Sequence, residues 1–321
     1  MAPPHLTFFV ELPSEPLVKL FERPGVVDFL VRRGCAVAMG LLDLTRDRAA
    51  VVRRLEASGV PVTAWLLLDD ADGYWLNADN AEHARARYLE TMQWAAREAL
   101  RLHRVGLDIE FPRHDGELLM RHPVRGLLTL LRRRRAAAQV HAAERAYAEL
   151  VAEIRAGGRS VETYHFPHLL DERAAHSTLL RRTLGLVDVR ADTEVLMLYA
   201  SYLGRAGAHA YFPDAQCIAL GVTGGGVNAD SAWERQRRLS WERLDEDLRA
   251  AAAFTNEVYI FSLEGCVEQH MFERLAAMEW AAQHVVGRAE RRRAPRQRDV
   301  FRWFLRAERL VDVIYPSRGG P

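Results

Sequence analysis

The sequence predicts a (β/α)8 TIM barrel followed by a basic and aromatic helical extension at the C-terminus. Three observations predict this fold: eight short apolar runs of strand-like composition, helical segments between them, and a length of 321 residues, which suits one large domain. Strands that alternate with helices form parallel sheets, and eight such units favour a closed barrel over a doubly wound open sheet. No Gly-x-Gly-x-x-Gly follows the first run, which weakens a dinucleotide-binding alternative.

The predicted strands are short runs of apolar residues, and Pro112 ends the fourth because proline cannot donate a ladder hydrogen bond. In chain order they are Leu6–Leu12, Cys35–Leu44, Val60–Asp69, the stretch within Val105–Arg113, Ser160–Phe166, Glu194–Tyr202, Gln216–Thr223 and Glu257–Glu264.

Helical patterns separate these runs, and Gly59 and Gly157 act as stop signals. The predicted helices are Val27–Arg33, Arg46–Ala57, Ala81–Leu102, the long region Val124–Ala156, Trp241–Phe254 and Met271–His284.

We place the barrel domain at residues 1–287 and the extension at residues 288–321. The extension is rich in arginine and then in aromatic residues around Trp303, which predicts a solvated linker and a docked terminal helix. Contact of this tail with a membrane is the lesser alternative.

Composition excludes several classes of function. The net charge of +1 argues against a nucleic-acid or anionic-membrane partner as the main function, although the basic tail is a local exception. Lys19 is the single lysine, which argues against Schiff-base and phosphate-loop chemistry. The three cysteines are widely spaced and predict neither disulfides nor a zinc site. We predict no cofactor and no resident metal, and, because no signal-like or membrane-spanning run is present, a cytoplasmic protein.

The most informative segment is Val105–Arg113, which reads VGLDIEFPR. Successive strand side chains alternate between faces, so Asp108 and Glu110 project to the same side. In a barrel the working residues lie at the carboxyl ends of the strands, where this pair falls. The pair therefore predicts an acid/base site, although solvated surface is the commoner location of acidic residues in general.

Further polar and aromatic residues follow the other predicted strands. Flat rings flanked by carboxylates suit the apolar faces and hydroxyl edges of a sugar, so we predict a carbohydrate substrate. We predict Tyr199 and Glu264 as additional catalytic residues. The predicted substrate-binding residues are Glu11, Asp69, Tyr74, Trp75, His165 and Tyr202. Asp43 also follows a strand, but a helix-capping role is the better interpretation there.

The strand-four motif Leu-Asp-Ile-Glu and the later Val-Leu-Met-Leu-Tyr resemble the chitinase-like barrels of glycoside hydrolase family 18. The first motif is equally similar to the Asp-x-Glu strand of family 25 lysozymes. The resemblance implies that Glu110 is the general acid, that Asp108 orients a substrate acetamido group and that Tyr199 steadies it. The chain departs from the family 18 motif at His103 and Gly106, where acids are expected, and at Ala200, where an Asp is expected.

Three hypotheses remain open at this stage. The first is glycoside hydrolysis with Glu110 as general acid and either Asp108 or Glu264 as the second carboxylate. The second is a metal- or phosphate-dependent sugar isomerase or lyase that uses His165 with the acids, or the glycine run Gly221–Gly226. The third is a non-catalytic barrel that binds a glycan or a protein.

Overall fold

The computed structural model describes residues 3–226, 238–280 and 298–307, and within them eight parallel strands form a closed barrel. Each strand pairs with its neighbour in sequence, and β8 returns to pair with β1. The predicted (β/α)8 fold is therefore confirmed. The strands are β1 His5–Val10, β2 Ala36–Leu41, β3 Val62–Leu66, β4 Arg104–Ile109, β5 Ser160–His165, β6 Thr193–Met197, β7 Cys217–Gly221 and β8 Glu257–Phe261.

Helices follow each strand and cover the barrel. In the first half they are α1 Ser14–Glu22, α2 Val26–Arg33, α3 Arg46–Ala57, α4 Ala81–Arg97, α5 Arg113–Arg121, α6 Pro123–Arg132 and α7 Ala137–Ala156. In the second half they are α8 His168–Ala175, α9 Leu179–Leu184, α10 Ala200–Leu203, α11 Arg205–His209, α12 Trp241–Ala251, α13 Leu263–Glu268, α14 Phe272–Ala276 and α15 at residues 298–307.

All eight predicted strands exist, but several end earlier than predicted. The third ends at Leu66 rather than Asp69, and the sixth ends at Met197 rather than Tyr202. Residues beyond these ends stay apolar because they are buried beneath the loops: Leu198 is fully buried although it lies outside the sheet. An apolar run therefore reports burial and does not locate the last ladder hydrogen bond.

The predicted helical region Val124–Ala156 forms two helices, α6 and α7, with a break at residues 133–136. The backbone N–H of Arg135 donates to the carbonyl of Arg182 at 2.8 Å, so a tertiary contact replaces the helical hydrogen bond there. The run of arginines gives no local signal for this break.

Two apolar layers hold the barrel together. The outward-facing strand residues pack against the helices, whereas the inward-facing residues form a separate aromatic cluster. In that cluster the Phe9 ring contacts Trp65, Tyr164 and Tyr259 with centroids 4.9–5.6 Å apart. Aromatic side chains fill the interior as in other TIM barrels, so the space for a substrate lies at one end and not along the axis.

The C-terminal helix α15 packs on the barrel, as the docked-helix interpretation expects. Arg298 and Arg302 donate to the fully buried Asp171 at 2.7–3.1 Å, and Leu305 is fully buried. The predicted domain boundary at residues 287 and 288 lies outside the described residues. Among the described helices, none has the length and apolar content needed to cross a lipid bilayer.

Candidate active site

Strand β4 brings Asp108 into the barrel interior. Its neighbours Leu107 and Ile109 face the helices and belong to the outer apolar layer, as the alternation predicts. Asp108 is only 2% exposed, and the indole Nε1 of Trp65 donates to its Oδ2 at 3.1 Å. No described residue donates to Oδ1. Burial raises the pKa of Asp108 well above its usual range, and the charge of Glu11 adds to this effect.

Glu110 lies one residue beyond the end of β4 and remains partly exposed. Its backbone is fixed, because the N–H of Glu110 donates to the carbonyl of Leu76 at 3.1 Å. Burial raises the pKa of Glu110 well above its usual range, with further increases from the charges of Asp108 and Glu11. The structure therefore brings Asp108 and Glu110 together as an electrostatically coupled pair.

Glu11 follows β1 and is oriented by Tyr74. The Tyr74 hydroxyl donates to Glu11 Oε1 at 2.6 Å, and both side chains are buried. Tyr74 has a positive φ of 66°, and the Arg113 guanidinium lies 5.6 Å from its ring centroid. Burial and the Glu11 charge raise the pKa of Tyr74, so this hydroxyl keeps its proton. Tyr74 thus serves as a hydrogen-bond donor to Glu11.

Glu264 lies in the first turn of α13 and connects three segments. The backbone N–H groups of Glu11 and Gly226 donate to Glu264 Oε1 at 3.3 and 3.1 Å. Glu264 is 4% exposed, and no described residue donates to Oε2. Burial raises the pKa of Glu264 to about 8, so the carboxyl is largely protonated at neutral pH.

The glycine run after β7 packs directly on these acids. A Cβ on Gly225 would lie 2.2 Å from Cγ of Glu264, and one on Gly226 would lie 2.4 Å from Oε2 of Glu11. Both glycines have positive φ values, of 84° and 76°. Close contact with two carboxyl groups therefore explains the glycines, and their acidic surroundings disfavour a phosphate at this position. The flanking Val227–Asp230 lies outside the described residues.

Aromatic side chains surround the acids. Burial raises the pKa of Tyr199, and the charges of Asp108 and Glu110 raise it further. The Tyr199 hydroxyl therefore interacts electrostatically with this pair of carboxyl groups. The Tyr199 ring lies 6.0 Å from that of Phe261 and 6.1 Å from that of Tyr202. Tyr202 is 39% exposed. Trp75 is half-buried, and its ring meets that of Tyr74 edge to face at 5.2 Å.

Two predicted site residues lie apart from the acids. His165 faces the helices and not the interior: its Nε2 lies 3.2 Å from the carbonyl of Val189, and burial lowers its pKa. Asp69 is exposed, and its backbone carbonyl accepts from the N–H of Asp72 at 2.9 Å in a short turn. Strand alternation separates His165 from Tyr164 and explains its position.

Two other polar groups noted in the sequence have structural partners. Asp43 accepts from Arg48 Nη2 at 2.9 Å, while the helix cap is the neighbouring Thr45. Lys19 lies on the surface of α1 with its side chain 68% exposed, where it pairs with Glu15.

Sequence reasoning missed several contributors to the site. Trp65 is a core residue, and its indole N–H is also the donor to Asp108. Arg113 and Phe261 match no functional motif in the sequence, and only their contacts in the structure identify them as part of the site. The one available signal was an indole on the strand that precedes the carboxylate pair, where neighbouring strands of the barrel present side chains to the same interior.

The departure from the family 18 motif at Gly106 has a packing explanation. A Cβ on Gly106 would lie 2.4 Å from the hydroxyl oxygen of Tyr164, so the ring of Tyr164 occupies the space where an acid would project. Among the described residues, no group of three or more His, Cys, Asp or Glu side chains is arranged to hold a metal ion.

Comparison with known proteins gives no assignment of function. No protein-family model matches the sequence, and no curated protein sequence matches it significantly. The solved structures similar to this chain include the PgaB (BpsB) glycoside hydrolase domain from Bordetella bronchiseptica, at 10% identity and a TM-score of 0.47, covering 88% of this chain and 100% of that one.

Barrels with other activities are similar at the same level. An L-ribulose 3-epimerase is 13% identical with a TM-score of 0.42, covering 99% of this chain and all of its own. A mutant tryptophan synthase α-subunit from Pyrococcus furiosus is 12% identical with a TM-score of 0.43, covering 86% of this chain and 96% of its own. These similarities concern the barrel fold and carry no argument about the reaction.

Proposed function

We propose that this protein hydrolyses a glycosidic bond, with Glu110 as the general acid. The observation that carries the proposal is the coupled pair at the end of β4, in which a partly exposed Glu110 has its pKa raised by burial and by the charge of Asp108. A carboxyl group that stays protonated near neutral pH can protonate the leaving oxygen of a glycoside.

Asp108 is the better second carboxylate. Burial and the charge of Glu11 oppose ionisation of Asp108, and the indole N–H of Trp65 favours it; of the pair, Glu110 is the partly exposed member that a substrate can reach. Glu264 instead has one oxygen fixed by two backbone N–H groups and a pKa of about 8. At neutral pH Glu264 is therefore a poor base, and we assign it the task of positioning Glu11 and the glycine run.

The aromatic residues support a carbohydrate as the substrate class. Trp75, Tyr199 and Phe261 are half-buried at the same end of the barrel as the acids, and Tyr202 is exposed beside them. Half-buried rings next to carboxyl groups offer stacking for sugar faces and acceptors for sugar hydroxyls.

The experiment compares Glu110→Gln with the unchanged protein on two kinds of substrate, oligosaccharides and aryl glycosides with a dinitrophenyl leaving group. General acid catalysis contributes about 10²- to 10⁴-fold, so kcat/KM on oligosaccharides should fall by that factor. Activated aryl glycosides should lose much less, because their leaving group needs no proton.

The matched control is Asp69→Asn, an exposed acid that also follows a strand but lies outside the cluster; its rates should not change. Equal loss on both substrates would remove the role of Glu110 as acid. Calorimetric binding of glycans without product release would replace the proposal with a glycan-binding barrel.

A further inference from the structure

Two helices leave apolar stripes exposed on the surface. Of the nine large apolar side chains that the described residues leave exposed, six lie on α6 and α15, so the exposure is concentrated. On α6 they are Val124, Leu127 and Leu128, and on α15 they are Val300, Trp303 and Phe304. In both helices the spacing is i, i+3, i+4, which places the three side chains on one face.

The two stripes belong to one surface because the helices meet. Leu131 of α6 packs in the same small apolar cluster as Phe301 and Leu305 of α15. We call the six exposed side chains together the apolar patch. Single exposed apolar residues are ordinary on protein surfaces, whereas six concentrated on two helices that share an apolar cluster indicate an interaction site.

Contacts on the inner side of α15 fix the orientation of the helix, so its apolar stripe faces outward. Asp171 accepts from Arg298 and Arg302, and the Tyr211 hydroxyl donates to its other oxygen at 2.5 Å. The Arg298 guanidinium also lies 3.9 Å from the Tyr211 ring centroid. With Leu305 buried on the inner side, Trp303 is left 68% exposed.

The charge around the patch is positive. Residues 123–136 contain five arginines and no acid, and Arg125, Arg132 and Arg133 are exposed. At 100° per residue, Arg125 and Arg132 lie along the edge of the α6 stripe. On α15, Arg306 is exposed and Asp299 is the single acid of residues 298–307.

We propose that the apolar patch binds an anionic lipid surface, with Trp303, Phe304 and the α6 leucines entering the interface and the arginines contacting lipid headgroups. An amphipathic helix with Trp, Phe and Leu on one side and arginine at its edge is suited to this position. A second copy of the chain is disfavoured, since a two-fold contact would bring Arg125 and Arg132 of both copies together. The absence of a membrane-spanning helix among the described residues is compatible with surface binding.

The test is sedimentation of the full chain with vesicles of phosphatidylcholine, alone or mixed with phosphatidylglycerol. We expect binding to the mixed vesicles, and weaker binding at high salt. Trp303→Ser with Phe304→Ser should reduce the partition coefficient at least about 10-fold, because two large rings are no longer buried. Arg125→Gln with Arg132→Gln should reduce it about fivefold or more.

Leu127→Ser with Leu128→Ser tests the α6 stripe independently of α15, and circular dichroism and thermal melting confirm that each variant is folded. The matched control is Val31→Ser, which removes an exposed apolar side chain from α2 and should leave binding unchanged.

Two results would overturn the proposal. One is a failure of the vesicle assay to depend on the patch: either the unchanged chain does not sediment with mixed vesicles, or the variants at Trp303 and Phe304, at Leu127 and Leu128 and at Arg125 and Arg132 bind as well as it does. The other is a dimer in light scattering that Trp303→Ser with Phe304→Ser converts to a monomer, which would assign the patch to a second copy.

Discussion

The barrel interior contains buried carboxyl groups at two levels, and the two levels differ in their hydrogen-bond and ion-pair partners. In the lower layer, Glu162 accepts from Arg104 at 3.2 Å, from the Tyr164 hydroxyl at 3.1 Å and from Thr63 at 3.4 Å. In the upper layer, Asp108 has one donor, Trp65, and no described donor reaches its second oxygen. The lower carboxylate therefore has a cation and hydroxyl donors, whereas the upper carboxylates raise one another's pKa.

This difference distinguishes a structural acid from a candidate working acid. A cation and two hydroxyl donors offset part of the desolvation of Glu162, whose pKa burial still raises. Adjacent carboxyls without such partners destabilise the fold, and such arrangements concentrate at functional sites. The upper layer is also the one at the carboxyl ends of the strands, where barrels carry their chemistry.

Among variants that test the difference between the two levels, the largest effect is expected for Asp108→Asn, and it is an effect on activity. Removing the charge beside Glu110 should lower kcat/KM on oligosaccharides by about 10²-fold or more. The melting temperature should stay equal or rise, because an unmatched buried carboxylate is lost. A marked drop in melting temperature together with full activity would show that the upper layer is structural.

In the lower layer, Arg104→Met is expected to reduce the stability of the fold. Glu162 would lose its cation, and because the Arg104 side chain is about half exposed the cost should be reduced to about 2 kcal/mol of unfolding free energy. Urea unfolding measures this loss. Adding Glu162→Gln should restore most of it, and no recovery in the double variant would contradict the ion-pair account.

A pH-dependent effect is expected for Glu264→Gln. The pKa of Glu264 is raised from 4.5 to about 8 in the folded protein, so its contribution to stability is complete below the lower value and is lost as pH rises through the upper one. The unchanged protein should therefore lose stability relative to the variant between about pH 5 and pH 9. Thermal melts across this range measure the difference, and parallel curves would contradict the raised pKa.

The smallest effect is expected for Trp65→Phe. The ring is largely kept, but the hydrogen bond to Asp108 is lost, which should raise the pKa of Asp108 further. The loss in stability should be about 1 kcal/mol, and the pH profile of kcat/KM should shift to higher pH. An unchanged profile would show that Asp108 does not depend on this donor.

The sequence predicted the barrel and the pairing of Asp108 with Glu110, because strand periodicity and the carboxyl-end rule of the fold are both local patterns. It could not place His165, since Tyr164 and His165 are equally compatible with the end of a strand and only the register decides which one faces inward. The contact of Gly225 and Gly226 with Glu264 and Glu11 depends on loop geometry that no spacing encodes.

The division between α6 and α7 and the anchoring of α15 on Asp171 were also beyond prediction. Both depend on contacts between residues far apart in the chain, such as Arg135 with Arg182 and Arg298 with Asp171. Local propensity is overridden where such contacts form.

The solitary lysine has a practical consequence. Lys19 projects into solvent from α1, in the connection that follows Glu11, and the chain has no other ε-amino group. An amine-directed fluorophore or cross-linker would thus modify a single side chain, and the α-amino terminus is the other amine to be controlled when a surface attachment or a distance probe is introduced there.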